Sequence, residues 1–177
     1  MKQSSVIKSF FEIYEYEENL SSFKNYYDSL RLWVKKNEGY FGQKLQSDSE
    51  LRMLLDLEVD KYLVENPGLC LDRESKRMQY INTIKKDKIG TLLRFINGRL
   101  WDMVTLRSIR DCPVCVHGDL RYLNINYKEN GKGKVILECE DCGHAINIDG
   151  SEVEETITEY LPATKDDLKV AGVVEYF

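Results

Sequence analysis

Cys112-Pro113-Val114-Cys115 and Cys139-Glu140-Asp141-Cys142 are separated by 23 residues, and the reading of these two pairs decides what the C-terminal part of the chain is. Each Cys-x-x-Cys closes as a tight turn. Two such turns brought together offer four thiolates, the donor set that satisfies the tetrahedral, sulfur-preferring coordination of Zn2+ at a structural site. The spacer is slightly longer than the roughly 15–20 residues usual for this pattern, and it holds two strands and a turn. Cys112, Cys115, Cys139 and Cys142 are therefore the expected ligands of one structural Zn2+ per chain.

Outward from the first pair the residues alternate. Arg121, Leu123, Ile125 and Tyr127 project to one face of a strand, and Leu120, Tyr122, Asn124 and Asn126 to the other. Glu129-Asn130-Gly131-Lys132-Gly133 supplies a hairpin turn, Val135, Ile136 and Leu137 return a strand into the second pair, and Ala145-Ile146-Asn147-Ile148 makes a third. Cys-Pro-x-Cys opening the hairpin and Cys-x-x-Cys-Gly-His closing it resemble the two knuckles of the zinc-ribbon family. The resemblance covers residues 112–148 and implies two metal-binding knuckles on a three-stranded antiparallel sheet. Gly143 would permit the turn that points backbone amides at the Cys139 and Cys142 sulfurs. Ribbons occur in proteins of very different activity, so the resemblance implies a fold and a cofactor but no reaction.

His117 and His144 each follow a cysteine by two residues, and either is a candidate to replace a thiolate or to act catalytically. Four cysteines already fill the tetrahedron. A catalytic zinc keeps an open position beside three protein ligands, so the complete set points to a structural ion. A nucleobase deaminase needs His-x-Glu with Pro-Cys-x-x-Cys, and neither occurs here.

Upstream the period changes to that of helices. Val6, Phe10, Ile13 and Tyr14 share one face, with Ser4 or Ser5 as the cap; Leu20, Phe23, Tyr27, Leu30 and Val34 continue the pattern until Lys35, Lys36 and Gly39. Ser47 and Glu50 form a candidate capping box for a helix carrying Leu51, Leu54, Leu55, Val59, Tyr62 and Leu63, stopped by Asn66-Pro67-Gly68. Met78, Ile81 and Ile84 mark a shorter segment. Ile89, Leu92, Leu93, Ile96, Leu100 and Val104 mark a longer one, with a break expected near Asn97-Gly98 because glycine costs about 1 kcal/mol inside a helix. Downstream, Thr164-Lys165-Asp166-Asp167 is read as the cap of a short helix through Leu168 and Val170, and Val173 to Phe177 as an apolar end that packs on the body. The expected class is α+β: an N-terminal helical bundle over 1–111, a small antiparallel four-cysteine zinc-ribbon sheet over 112–150, and an acidic C-terminal tail over 151–177 packing on the body.

The 177 residues suffice to bury a core, no apolar run reaches the roughly 20 residues of a membrane span, and residues 1–8 lack a signal-peptide core. A reducing, cytoplasmic setting suits five cysteines of which four are paired by spacing, with Cys70 left over as a small apolar residue. The net charge of −5 is unevenly spread, with −3 over 1–70, +5 over 71–111, −1 over 112–148 and −6 over 149–177. Arg73, Lys76, Arg77, Lys85, Lys86 and Lys88, with Arg94, Arg99, Arg107 and Arg110, could track nucleic-acid phosphates; the rival reading is a solvated helix face or a patch neutralised by the acidic tail. Nucleotide-binding glycine loops, a Gly-x-Ser-x-Gly elbow and His-Glu-x-x-His are missing. These features favour a macromolecule-binding protein with a protein partner, in character similar to bacterial toxin-immunity proteins. The alternatives are a regulatory nucleic-acid-associated ribbon protein and an enzyme with an unrecognised carboxylate site.

Overall fold

The structure is a computed structural model that describes residues 3–62, 71, 74, 88–125 and 133–173. The chain is α+β and divides into two compact units, one of Met1–Leu57 with Pro67–Met103, the other of Glu58–Asn66 with Val104–Phe177. Among the described residues no helix is long and apolar enough to cross a membrane.

The first unit is helical: α1 (Gln3–Phe11), α2 (Phe23–Lys36), the single turns α3 (Glu38–Phe41) and α4 (Gln43–Gln46), α5 (Ser49–Asp56) and α6 (Lys88–Val104), whose last residue belongs to the second unit. Ser22 caps α2 by accepting from the Asn25 amide at 3.1 Å, and Lys35 and Lys36 occupy its last turn, where cations complement the helix dipole. Its face of Tyr26, Tyr27, Leu30, Trp33 and Val34 is buried. Phe10 of α1 meets Trp33 with ring centroids 4.8 Å apart, edge to face, the arrangement that aromatic quadrupoles favour. A polar thread enters this apolar interior. The hydroxyls of Tyr14 and Tyr26 lie 2.8 Å apart, Tyr26 donates to Glu74 at 3.0 Å, and Arg99 approaches the other Glu74 oxygen at 3.6 Å. Glu74 is only 1 % exposed, so these donors offset the cost of removing its charge from water. Burial pushes both tyrosine hydroxyls well above their ordinary range, so they remain protonated donors.

Three local expectations are corrected. The cap of α5 is Asp48, whose carboxylate accepts from the Leu51 amide at 2.9 Å, and not Ser47. Ser47 has helical angles (φ −81, ψ −12) at the end of α4, whereas a capping residue must leave the helical region, and Glu50 instead accepts from Asn97 at 3.0 Å. Helix α5 ends at Asp56, well short of Asn66, because Leu57 turns extended and Tyr62 bridges Thr164 in the second unit. Helix α6 runs through Asn97-Gly98 without a break. Buried Ile89, Leu92, Leu93, Ile96, Leu100 and Met103 hold it, and burying even one such side chain, at about 1.5–3 kcal/mol, outweighs the glycine penalty. Cys70 and the segment of Met78, Ile81 and Ile84 lie outside the described residues.

The second unit is an antiparallel sheet of β1 (Arg107–Asp111), β2 (Asp119–Ile125), β3 (Lys134–Cys139), β4 (Ala145–Asn147) and β5 (Tyr160–Pro162), followed by α7 (Lys165–Val170). Strand β3 pairs along one edge of β2 from Leu120↔Cys139 to Ile125↔Lys134. β1 and β5 share the other edge, at Arg107↔Arg121 and at Leu123↔Pro162. The sheet thus begins before the first cysteine pair and gains two strands beyond the three expected, while the turn at 129–132 lies outside the described residues. Leu120, Tyr122, Leu137, Cys139 and Ile146 fall on one face by register and form a core with Leu106, Leu168 and Val173. The alternate residues Leu123, Ile125 and Ile136 are buried as well. Thr164 and Asp167 cap α7 reciprocally, Asp167 N donating to Thr164 Oγ1 at 3.1 Å and Thr164 N to Asp167 Oδ2 at 2.9 Å. Residues 174–177 lie outside the described part.

Candidate metal centre

Both knuckles are built at strand ends by the same backbone device. Residues 112–118 loop between β1 and β2, their base closed by Cys112 N donating to Gly118 O at 3.2 Å. Residues 139–144 loop between β3 and β4, closed by Cys139 N donating to His144 O at 2.9 Å. Within each, the residue after the second cysteine turns its amide back to the first: Val116 N to Cys112 O at 3.1 Å, Gly143 N to Cys139 O at 2.9 Å. Those two residues take left-handed angles, φ 61 and φ 71. The Leu120↔Cys139 pairing sets the two loops side by side.

Residues 112 and 115 thereby meet 139 and 142. All four sulfurs lie within 4.8 Å of one another, with Cys112 to Cys142 at 3.7 Å and Cys115 to Cys139 at 3.5 Å. A tetrahedron of sulfurs at about 2.3 Å from a central ion has edges of about 3.8 Å, so the donor set fits one metal ion of that class. The separations also far exceed the roughly 2.05 Å of a disulfide, and all four cysteines are free thiols. Cys112 and Cys139 are buried, Cys115 is half-buried and Cys142 is exposed.

Backbone amides face the sulfurs, as the turn at Gly143 implied. Those of Cys115 and Val114 point at Cys112 Sγ, the latter at 3.4 Å, and those of Cys142 and Asp141 point at Cys139 Sγ. The Cys115 amide holds the Cys112 thiol down to about 6, whereas burial pushes Cys139 up to about 12. Backbone amides thus favour the thiolate at Cys112, while burial favours the thiol at Cys139. A bound cation would favour the thiolate form throughout, and the converging N–H dipoles would spread the charge of four thiolates.

Three supporting residues escape the cysteine pattern. Gly118 has no room for a side chain, since a Cβ there would stand 2.3 Å from Cys139 Sγ. Arg107 on β1 binds Asp119 at 2.6 Å and Glu140 at 3.1 Å, tying β1 and β2 to the second knuckle. Val116 adopts the left-handed angle without being glycine. Only Gly118 left a signal in the sequence, a glycine shortly after the first pair, and nothing local distinguishes it from a turn glycine.

His117 is exposed, and His144 is half-buried with Nε2 3.9 Å from Glu152. Neither is needed to complete the sulfur tetrahedron. Of the basic residues, Arg73, Lys76, Arg77, Lys85 and Lys86 lie outside the described residues, as does the side chain of Lys88. Arg99 is paired with Glu74 and Asp102, and Arg107 with Asp119 and Glu140, so part of the basic middle is neutralised locally. Comparison with protein-family models, curated proteins and solved structures finds no match to this chain.

Proposed function

We propose that Cys112, Cys115, Cys139 and Cys142 hold one structural Zn2+ and that the chain works as a binding protein with a protein partner. The observation that carries the zinc reading is the sulfur tetrahedron itself. Two of its separations, 3.7 and 3.5 Å, lie near the edge expected for four Zn–S bonds, all lie within 4.8 Å, and a set of four thiolates leaves no position for substrate or water, as structural zinc sites require. Iron shares the preference for four thiolates, and the two metals differ in their spectra. The ion would supply folding free energy to the loops at 112–118 and 139–144, and its role is to hold them in position. What supports a binding role is exposed surface of the second unit, with aliphatic side chains on the first knuckle and an acidic stretch over 154–159 in which Glu155 is paired with Lys134. Acidic residues there suit a partner of positive charge, as in the toxin-immunity proteins that the composition resembles in character.

Metal analysis of the purified chain tests the first half. About one zinc per chain, colourless as isolated and replaced by Co2+ with the absorption of tetrahedral thiolate coordination, is the expected result. Iron with its visible bands, or a metal retained after Cys139→Ser, refutes it. Affinity capture under native conditions tests the second half: recovery of one stoichiometric, salt-sensitive protein partner supports it, and recovery of nucleic acid overturns it in favour of a regulatory ribbon.

A further inference from the structure

Helix α7 packs through Leu168 on the sheet face that carries Leu120, Tyr122 and Leu137, and next to it a cavity of about 510 Å3 stays open. Gly133, Val135, Ile148, Val170 and Ala171 make its walls mostly apolar. Val170 is 90 % exposed and so stands at the mouth. The volume falls in the roughly 300–1,000 Å3 range of small-molecule pockets, which combine apolar walls with a few placed polar groups. Asn124 supplies one such group. By register it lies opposite Val135 and therefore on the same face of the sheet. It is 2 % exposed, and its Oδ1 is buried without a hydrogen-bond partner. That oxygen takes the place of a side chain at 133, since a Cβ on Gly133 would stand 1.7 Å from it. The unpaired acceptor thus abuts the part of the cavity wall that Gly133 forms. A buried acceptor without a donor is costly to keep, and an occupant that donates to it removes that cost. Charge at the rim narrows the choice of occupant. Lys134 is held by Glu155 at 2.8 Å, the Asp167 carboxylate accepts from the Thr164 amide and hydroxyl, and Asp166 is exposed, 3.8 Å from Lys169. Among the lining residues two carboxylates therefore face one lysine that is already paired, which disfavours an anion.

We propose that this cavity binds a small apolar molecule, neutral or cationic, that carries one N–H or O–H group and donates it to Asn124 Oδ1. The apolar body lies against Val135, Ile148 and Ala171 and gains affinity by leaving water, while the acceptor fixes its orientation. The last torsion of an asparagine has a broad well, so a modest turn brings the amide oxygen from Gly133 to the donor. A carboxylate or phosphate is disfavoured on two counts: it offers acceptors to an acceptor, and it brings negative charge to Asp166 and Asp167. The site is independent of the zinc and of the protein partner proposed above.

Titration of the full chain with indole and with N-methylindole, followed through its backbone amides by NMR, tests it. The two probes differ by the one N–H donor. Indole is expected to shift the amides of 133–135, 148 and 170–171, and to bind about tenfold more tightly than N-methylindole, which leaves the acceptor unpaired. Tryptamine, the cationic analogue, is expected to bind more tightly than the anionic indoleacetate. Asn124→Leu replaces the amide by an apolar side chain with the same branching and should erase the preference for indole over N-methylindole, which a merely structural role for Asn124 would not do. Val170→Trp fills the mouth from an exposed position, so it should weaken both probes about tenfold without lowering the melting temperature. This second variant keeps the test decisive if Asn124→Leu fails to fold. The absence of a saturable shift at millimolar indole overturns the proposal, as do shifts that fall elsewhere on the chain, equal affinity for indole and N-methylindole, or binding indifferent to Val170→Trp.

Discussion

Gly118→Ala adds one methyl group where the first knuckle faces Cys139 of the second. Its Cβ would lie 2.3 Å from Cys139 Sγ and 3.1 Å from the Asp141 side chain, and real Cβ atoms essentially never come within 3.0 Å of a neighbour. The shortfall to Cys139 is at least 3.0 − 2.3 = 0.7 Å. Metal–sulfur distances tolerate only about ±0.2 Å, so the sulfur cannot yield that far and remain a ligand. Cys139 is buried and anchored by its pairing with Leu120, so the strain is not absorbed by a flexible tip. A site reduced to three thiolates should bind zinc about a hundredfold more weakly or worse, about 2.7 kcal/mol, and the sheet unit should melt earlier. Competition with a chromophoric chelator reads the affinity directly. Gly98→Ala is the control, the same substitution at a glycine with nothing within 4 Å of the added atom. If Gly118→Ala retained one zinc per chain at wild-type affinity, the reasoning from this contact would be wrong.

Gly98→Ala should itself stabilise the first unit, by about 0.5–1 kcal/mol in chemical denaturation, because Gly98 is an exposed interior residue of a continuous helix; destabilisation would show that a break is needed there. Tyr26→Phe removes the hydroxyl that meets both Tyr14 and the buried Glu74, and should cost about 1–3 kcal/mol in urea unfolding; a neutral result would mean that the carboxylate is satisfied without it. Zinc affinity should rise with pH. Metal binding converts the site to thiolates, and Cys139, pushed up to about 12, must release its proton at any neutral pH. Each thiol still protonated adds about a tenfold loss of affinity per pH unit of acidification, and calorimetry in buffers of different ionisation enthalpy counts the protons. Uptake of zinc without proton release would contradict the thiol state of Cys139.

The cysteine spacing by itself determined which four residues converge, because a Cys-x-x-Cys turn is local and the residues between the pairs alternate as strands must. Helical periodicity likewise placed the buried face of α6 and part of that of α2, where it missed Tyr26 and Trp33, and the reciprocal cap at Thr164 and Asp167 is contained in four consecutive residues. What only the tertiary structure decided are the choices between near-equal local options and the contacts between distant residues. Ser47 and Asp48 are both good caps, and the helical angles of Ser47 at the end of α4 leave the role to Asp48. Gly98 weakens its helix by an amount that is visible in sequence, while the burial that outweighs it depends on everything packed against α6. Arg107–Asp111 and Tyr160–Pro162 carry no strong strand pattern and become strands because opposite ends of one edge of β2 are open to them. The indispensability of Gly118 appears only once Cys139 is brought against it across the sheet. Local propensities differ by about a kilocalorie per residue, which is less than one buried side chain contributes, so wherever the two compete the distant contact prevails.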